Sequence, residues 1–424
     1  MNTLIPRRRF LQQTALASAA LASAPHLPAA DSPNEKLVVA VMGLGRGYDH
    51  IKALQQIANV EIAWVCDVDQ NRLDRAAKAV GDAQKSAPKA VKDVRRALED
   101  KAVDALFIAT PNFWHAPATI LACAAGKHVY VEKPGSHNAR EGELMVAAAR
   151  KHNRVVQMGT QRRSWPGVIE GIQKLRDGAI GRVLSARCWY NASRPTIGRG
   201  KVVPVPAYLD YELWQGPIPE RPYLDNLVHY NWHWRWHWGG GELANNGVHA
   251  LDIARWGLGV EAPRRITYNG GRYHFDDDQE TPDTGVAVFD FGGCGIFWDH
   301  SSCNPRRQEM QPFVAWYGDQ GSLVQDGNGY KVFDAKGKEA AKGTGPGGDV
   351  VHIQNFLDAI RGAKKLKQDI AEGQKSTLLC HLGNIAYRAG RTIHFDPVTH
   401  KIVGDAEAEK FWSREYRPGW EPKV

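Results

Sequence analysis

The apolar run Leu37-Val38-Val39-Ala40-Val41-Met42 leads directly into Gly43-Leu44-Gly45-Arg46-Gly47. Few architectures place a buried strand, a glycine-rich turn and a helix in that order. The first two glycines permit a tight turn and a close approach of backbone to a pyrophosphate, which then rests on a helix N-terminus. The usual third glycine is displaced: Gly47 stands one place early and Tyr48 occupies its position. Asp67 ends the next apolar run, 24 residues after Gly43. A carboxylate there accepts hydrogen bonds from both ribose hydroxyls and repels a 2′-phosphate. NAD is therefore the expected cofactor ahead of NADP, although Arg46 and Arg72 leave NADP open. A strand-end Asp can also simply cap the following helix.

The alternation continues. Strands are expected at 37–42, 61–66, 105–109, 128–131 and 154–158, with helices at 48–58, 71–80, 91–99, 116–125 and 139–152. Short apolar strands separated by helices make a doubly wound parallel sheet, whose ligands bind beyond the carboxyl ends of the strands. The glycine turn, Asp67, Thr110-Pro111-Asn112 and Glu132-Lys133-Pro134 should all gather at that edge. The rest of the chain reads differently. Short strands at 183–190, 265–269, 284–291, 295–300, 314–317 and 330–334 suggest an open, mostly antiparallel sheet, with late helices at 351–361 and 373–391. The expected fold is α/β: a Rossmann domain at 36–158, then an α+β domain at 159–424.

A chain of 424 residues suits two domains. The formal charge of +8 includes Arg7, Arg8 and Arg9, and residues 1–30 hold no Asp or Glu. The remaining charge is too mild and too dispersed for nucleic acid. None of the six cysteines forms a C-x-x-C pair, so no metal site is expected. Cys294 and Cys303 can pair only if a hairpin brings them face to face. Arg7-Arg8-Arg9-Phe10-Leu11, followed by the apolar run from Ala15 to Ala24, reads as a twin-arginine signal over residues 1–30. Cleavage is expected near Ala30. The expected location is periplasmic, after passage through the twin-arginine machinery, or membrane-anchored if the signal is retained.

With Glu132-Lys133-Pro134 the chain resembles the glucose–fructose oxidoreductase, inositol dehydrogenase and rhizopine-catabolism (Gfo/Idh/MocA) family. The resemblance rests also on Gly43-x-Gly45, Cys66-Asp67, Thr110-Pro111-Asn112-x-x-His115, Gly126-Lys127-His128-Val129 and Gly239-Gly240-Gly241…His249-x-x-Asp252. It implies a first domain that binds a nicotinamide dinucleotide and a second that supplies the substrate wall. Its members act mostly on sugars, inositols and related polyols, and by analogy a homo-oligomer, dimer or tetramer, is expected. Lys133 matches the family's active-site lysine and His249 its general base. An ammonium stabilises oxyanion character as hydride leaves carbon, and an imidazole takes the hydroxyl proton. The expected cofactor residues are Gly43, Gly45, Arg46, Gly47, Asp67, Thr110, Pro111, Asn112, His115, Glu132 and Lys133. Asp252, three residues after His249, either orients its ring or is structural. One departure matters: where the family often has Asp, this chain has Asn245, followed by Asn246. An amide orients a hydroxyl without accepting its proton.

The run Trp232-His233-Trp234-Arg235-Trp236-His237-Trp238, if extended, lines one face with indoles. Flat apolar faces suit the C–H faces of a pyranose. Trp234, Trp236, Asn245, Asn246 and His249 are thus the expected substrate contacts. The indoles can otherwise serve as core between domains or as a subunit interface.

Two chemistries follow. In the first, hydride passes between a saccharide or polyol carbon and a tightly held nicotinamide, because an exported enzyme has no free cofactor pool. In the second, a redox-neutral hydrolase or lyase oxidises transiently, eliminates a glycosidic substituent, adds water and returns the hydride. A catalytically silent sugar-binding relative would not need both Lys133 and His249.

Overall fold

The computed structural model describes residues 36–424 except Met310. The expected export signal lies outside the described residues. No helix among them is long and apolar enough to cross a membrane.

The first sheet contains β1 (Leu37–Met42), β2 (Val60–Cys66), β3 (Lys89–Val91), β4 (Ala105–Ile108), β5 (His128–Val131) and β6 (Val156–Met158). Its order is β3-β2-β1-β4-β5-β6, and the β1, β2, β4, β5 and β6 neighbours pair in parallel. The intervening helices are α1 (Gly47–Leu54), α2 (Gln70–Gln84), α3 (Val94–Leu98), α4 (Asn112–Ala124) and α5 (Ala139–Lys151). Branched apolar side chains such as Val39, Val41, Val65 and Ile108 are fully buried, because helices cover both faces. The short strand β3 escapes sequence reading, since its Lys89 and Ala90 are exposed at the sheet edge.

Further on, α6 (Pro166–Arg176), α7 (Tyr211–Gln215), α8 (Val248–Leu258), α9 (Val350–Ile360) and α10 (Ile370–Ala389) accompany a second, ten-stranded sheet. Its strands are β7 (Val183–Asn191), β8 (Arg265–Gly271), β9 (Thr284–Asp290), β10 (Gly295–Ser301), β11 (Val314–Gly318), β12 (Gly321–Asp326), β13 (Gly329–Asp334), β14 (Glu339–Gly343), β15 (Ile393–Asp396) and β16 (Lys401–Ile402). The pairing is antiparallel except between β7 and β10. One face, carrying Cys188, Trp298, Trp316 and Leu323, packs on α6, α8 and α10. Four strands were not expected, β12, β14, β15 and β16. β15 and β16 have only 4 and 2 residues, and β14, Glu339-Ala340-Ala341-Lys342-Gly343, is mostly exposed and shows no apolar alternation.

Two segments from late in the chain return to the first sheet. Ile353, Phe356 and Leu357 of α9 join the core formed by β1 and α1. Leu209, Tyr211, Trp214, Leu227, Trp232 and Trp238 join the core of the opposite face, beside α4 and α5.

The two cysteines do not pair. Cys294 lies in the turn before β10 and Cys303 beyond its far end, about 20 Å of strand away. All six cysteines are free thiols.

Candidate active site

The carboxyl ends of the parallel strands open into a cavity of about 740 Å³. Gly43, Gly45, Arg46, Asp67, Thr110, Pro111, Asn112, His115, Glu132 and Lys133 all line it. Asp67 follows β2 and Glu132 follows β5, three strand spacings or about 14 Å away. A cavity of that span along a strand edge suits an extended ligand.

Each cofactor candidate has a distinct local reason for its place. Gly43 has φ +83°, and a Cβ there would lie 2.6 Å from the Ala109 carbonyl and the Thr110 nitrogen. Only glycine lets the turn pass so close to the end of β4. Gly47 does not line the cavity; it begins α1, where a Cβ would lie 3.1 Å from Val41 Cγ1 and 3.6 Å from Ala109 Cβ. Asp67 accepts from the Leu44 amide at 2.6 Å and the Asp69 amide at 2.9 Å, which ties the strand end to the glycine turn. Burial raises its pKa against those two bonds. The capping role considered for Asp67 falls to Asp69, which accepts from Asn71 and Arg72 at the start of α2. His115 turns its nitrogens to Pro134 O at 2.7 Å and Thr110 O at 2.9 Å, so it braces the turn carrying Lys133.

At the β5 end, burial pushes the Glu132 carboxyl upward, but a hydrogen bond from His50 and the Arg46 charge prevail and hold it well below the usual range. His50 Nε2 lies 3.0 Å and Arg46 Nε 3.1 Å from Glu132 Oε1. Arg46 reaches Asp349 as well, at 2.7 Å. Neither His50 nor Asp349 was a sequence candidate, and only spatial proximity identifies them.

Lys133 Nζ donates to Asn245 O at 2.9 Å and to Asn245 Oδ1 at 3.3 Å. Asn245 belongs to a single π-helical turn, Leu243–Gly247, that runs straight into α8. Such wide turns re-aim side chains. Here Asn245 and His249 both line the cavity with Lys133. Burial lowers the Lys133 pKa. Burial first, then the charges of Lys133 and Arg162, pushes His249 down to about 3. The imidazole is therefore neutral, and so low a value makes it a proton acceptor only for a hydroxyl that turns strongly acidic as its carbon loses hydride. No hydrogen bond to its ring is found among the described residues. Asp252 does not orient it: both Asp252 oxygens take the Arg163 guanidinium at 2.8 Å, and Oδ1 also accepts from Ser376 and Gln368. Asn246 turns aside to Glu242, which pairs with Arg194.

The tryptophan run corrects the extended expectation. Asn231–Trp234 is a 3-10 turn, in which residues three apart, not two apart, align. Trp234 is buried beneath the Arg194 guanidinium, and Trp236 packs against Tyr387 and Arg388. Neither lines the cavity. Trp232 and His233, stacked 3.6 Å apart, do so instead. His233 and His237 donate to the separate carbonyls of Tyr230 and Pro219. No group of His, Cys, Asp or Glu suited to a metal occurs among the described residues.

A nicotinamide dinucleotide fits this cavity. Thr110 Oγ1 and Gln161 Oε1 are buried there without a partner, and both belong to its lining. Buried polar atoms left unpaired by protein call for a ligand or water.

Comparison with known proteins agrees. Residues 37–160 match the family model described as oxidoreductase family, NAD-binding Rossmann fold. Residues 196–422 match the same family's C-terminal alpha/beta domain. Inositol 2-dehydrogenase 4 of Saccharopolyspora erythraea is 34% identical over 169 residues, covering 38% of this chain and 48% of that protein. A glycosyl hydrolase family 109 protein of the same organism is 31% identical over 157 residues, covering 36% and 34%. The chain thus spans about half, or less, of the length of the curated relatives it matches. The aldose-aldose oxidoreductase of Caulobacter crescentus, solved with glycerol, shares the fold at TM-score 0.67 and 21% identity, over 85% of this chain and all of that one (100%). The chain belongs to the Gfo/Idh/MocA oxidoreductase family, with an NAD-binding Rossmann fold at its N-terminal side.

Proposed function

We propose that this protein transfers hydride between a carbon of a saccharide or polyol and a tightly held NAD. The observation that carries the reading is the shared cavity of Lys133 and His249, one from each sheet's side of the molecule, joined through Asn245. Asp67, Thr110 and Glu132 would hold the dinucleotide, which when bound supplies the hydride acceptor. His249, neutral in the buried site, takes the hydroxyl proton of the substrate. Lys133 donates to the same oxygen and stabilises its growing negative charge. Asn245 fixes the ammonium, and Trp232 offers an apolar wall to the sugar. The dehydrogenase and aldose oxidoreductase names among its relatives support a saccharide class. Periplasmic export with cofactor already bound, and reoxidation by a second carbonyl compound, complete the reading. Exposed Val286, Phe297 and Tyr317 on the second sheet support a homo-oligomer.

The test is a panel of inositols and aldoses with purified protein, following reduced cofactor in a single turnover. Lys133→Met should abolish it while nucleotide remains bound. Absence of hydride transfer from every polyol and sugar would overturn the reading.

One observation favours the redox-neutral alternative. One relative is named a glycosyl hydrolase family 109 protein, and an amide, Asn245, here holds Lys133 without being able to take a proton itself. Glycoside cleavage without net cofactor reduction would select it.

A further inference from the structure

Residues 206–233 fall within the stretch that matches the family's C-terminal domain, yet they pack on the first sheet. The Gln70 amide donates to Tyr208 O at 2.9 Å, and the Asp210 amide donates to Val68 O at 3.0 Å. Between them, Asp69 and Leu209 pair as an isolated antiparallel bridge. All three contacts fall within three residues of Asp67. Further along, the Trp114 indole donates to Trp214 O at 2.9 Å. His229 Nε2 then meets Asp69 Oδ2 at 2.7 Å, which returns the segment to the same strand end.

The segment also lines the cavity, through Leu213, Trp214, His229, Tyr230 and Trp232. It therefore reaches from the Asp67 end to the neighbourhood of Lys133. Its own support is apolar and extensive: Tyr211 and Trp214 sit in the core beside α4. The C-terminal tail adds a second fastening. The Arg417 amide donates to Pro217 O at 3.0 Å, and Trp420 meets Trp114 edge-on at 5.4 Å.

We infer that residues 206–233 form a clasp over the dinucleotide, latched by His229 on Asp69, and that this clasp makes the cofactor slow to leave. The inference rests on the reading of the cavity as a nicotinamide dinucleotide site and adds the segment that retains it. Release requires parting main-chain bonds beside Asp67 together with a charge-assisted side-chain bond, so it is slow relative to an open Rossmann cleft.

The experiment loads the full chain with NADH, chases with excess NAD and follows the decay of energy transfer from tryptophan to bound NADH. Wild-type release should be slower than turnover. His229→Ala should accelerate it by about tenfold or more. His229→Gln, which keeps a donor, should recover part of the loss. Trp420→Ala, in the tail and outside the cavity, should accelerate release by a smaller factor. Hydrogen exchange of wild-type peptides covering 206–233 should slow when NADH is bound, which needs no variant. Rapid wild-type exchange, unchanged release in the variants, or unprotected peptides would each overturn the clasp while leaving the nucleotide site standing. Failure of wild-type protein to bind NAD or NADH at all would overturn both.

Discussion

Lys133 and Asn245 are joined twice, the ammonium donating to the main-chain oxygen at 2.9 Å and to the side-chain oxygen at 3.3 Å. The end of a parallel strand is thereby fastened to the turn that carries His249. The main-chain bond depends only on the π-helical turn; the side-chain bond depends on the residue type. Asn245→Ala should therefore reduce kcat/KM modestly, by about three- to tenfold, since one of two bonds survives. Asn245→Asp should act oppositely on charge. A carboxylate beside a buried ammonium favours the charged form and offsets the lowering that burial imposes on Lys133. The alkaline limb of the kcat/KM profile should move up by about one pH unit or more.

His249 is held at about 3, chiefly by burial. It is the base only in its neutral form, so the acid limb of sugar oxidation should lie well below the ordinary imidazole value of about 6.5. His249→Ala should cost about 10² to 10⁴ in kcat with little change in nucleotide binding. A wild-type acid limb at the ordinary imidazole value would mean that this ring is not the base, or that water reaches it freely.

Legibility in the sequence followed the range of the interaction. The glycine turn, Asp67, Thr110 and Lys133 each follow a strand whose apolar run is plain, and the parallel sheet brings them to one edge by topology alone. His249 was legible only through the family resemblance, whose motif Gly239-Gly240-Gly241…His249-x-x-Asp252 it completes. Asp349 was not, because its tie to Arg46 spans 303 positions and starts from an undistinguished loop. The tryptophan run misled for a different reason. Alternation argues for a strand only when the backbone is extended, and the 3-10 turn at Asn231–Trp234 rotates Trp232 into the cavity and Trp234 beneath Arg194. The role of residues 206–233 was hidden because nothing local says that a segment packs on a sheet built from residues far upstream.

Asp252 separates structure from chemistry. It is fully enclosed with Arg163, and both guanidinium bonds measure 2.8 Å. Removing one partner strands a buried charge, so Asp252→Ala should destabilise the fold by about 3–5 kcal/mol. Thermal melts read this as a marked drop in Tm. Because Asp252 makes no bond to His249, kcat of the surviving folded enzyme should hold, while the acid limb moves slightly further down as the Asp252 charge that raises the ring is lost. A large fall in kcat would restore the ring-orienting role.

The buried histidines set the response of the fold to acid. Burial pushes His300 and His381 down to about 3 and His352 down to about 4. His352 is buried between Ser164 and the Met158 carbonyl, and His381 sits against Ser136. In the unfolded chain each ring titrates near 6.5. As pH falls below that value, the unfolded state takes up protons that the folded state refuses. Stability from these rings is thus complete above about 6.5 and is lost progressively toward the folded values. Each ring contributes a slope of about 1.4 kcal/mol per pH unit within that window. Tm should be nearly level from pH 8 to 7 and fall steeply from 6 to 4.5. His381→Gln, which removes one titrating ring and keeps a polar partner for Ser136, should make that fall shallower. An equally steep fall in the variant would assign the acid sensitivity to other groups.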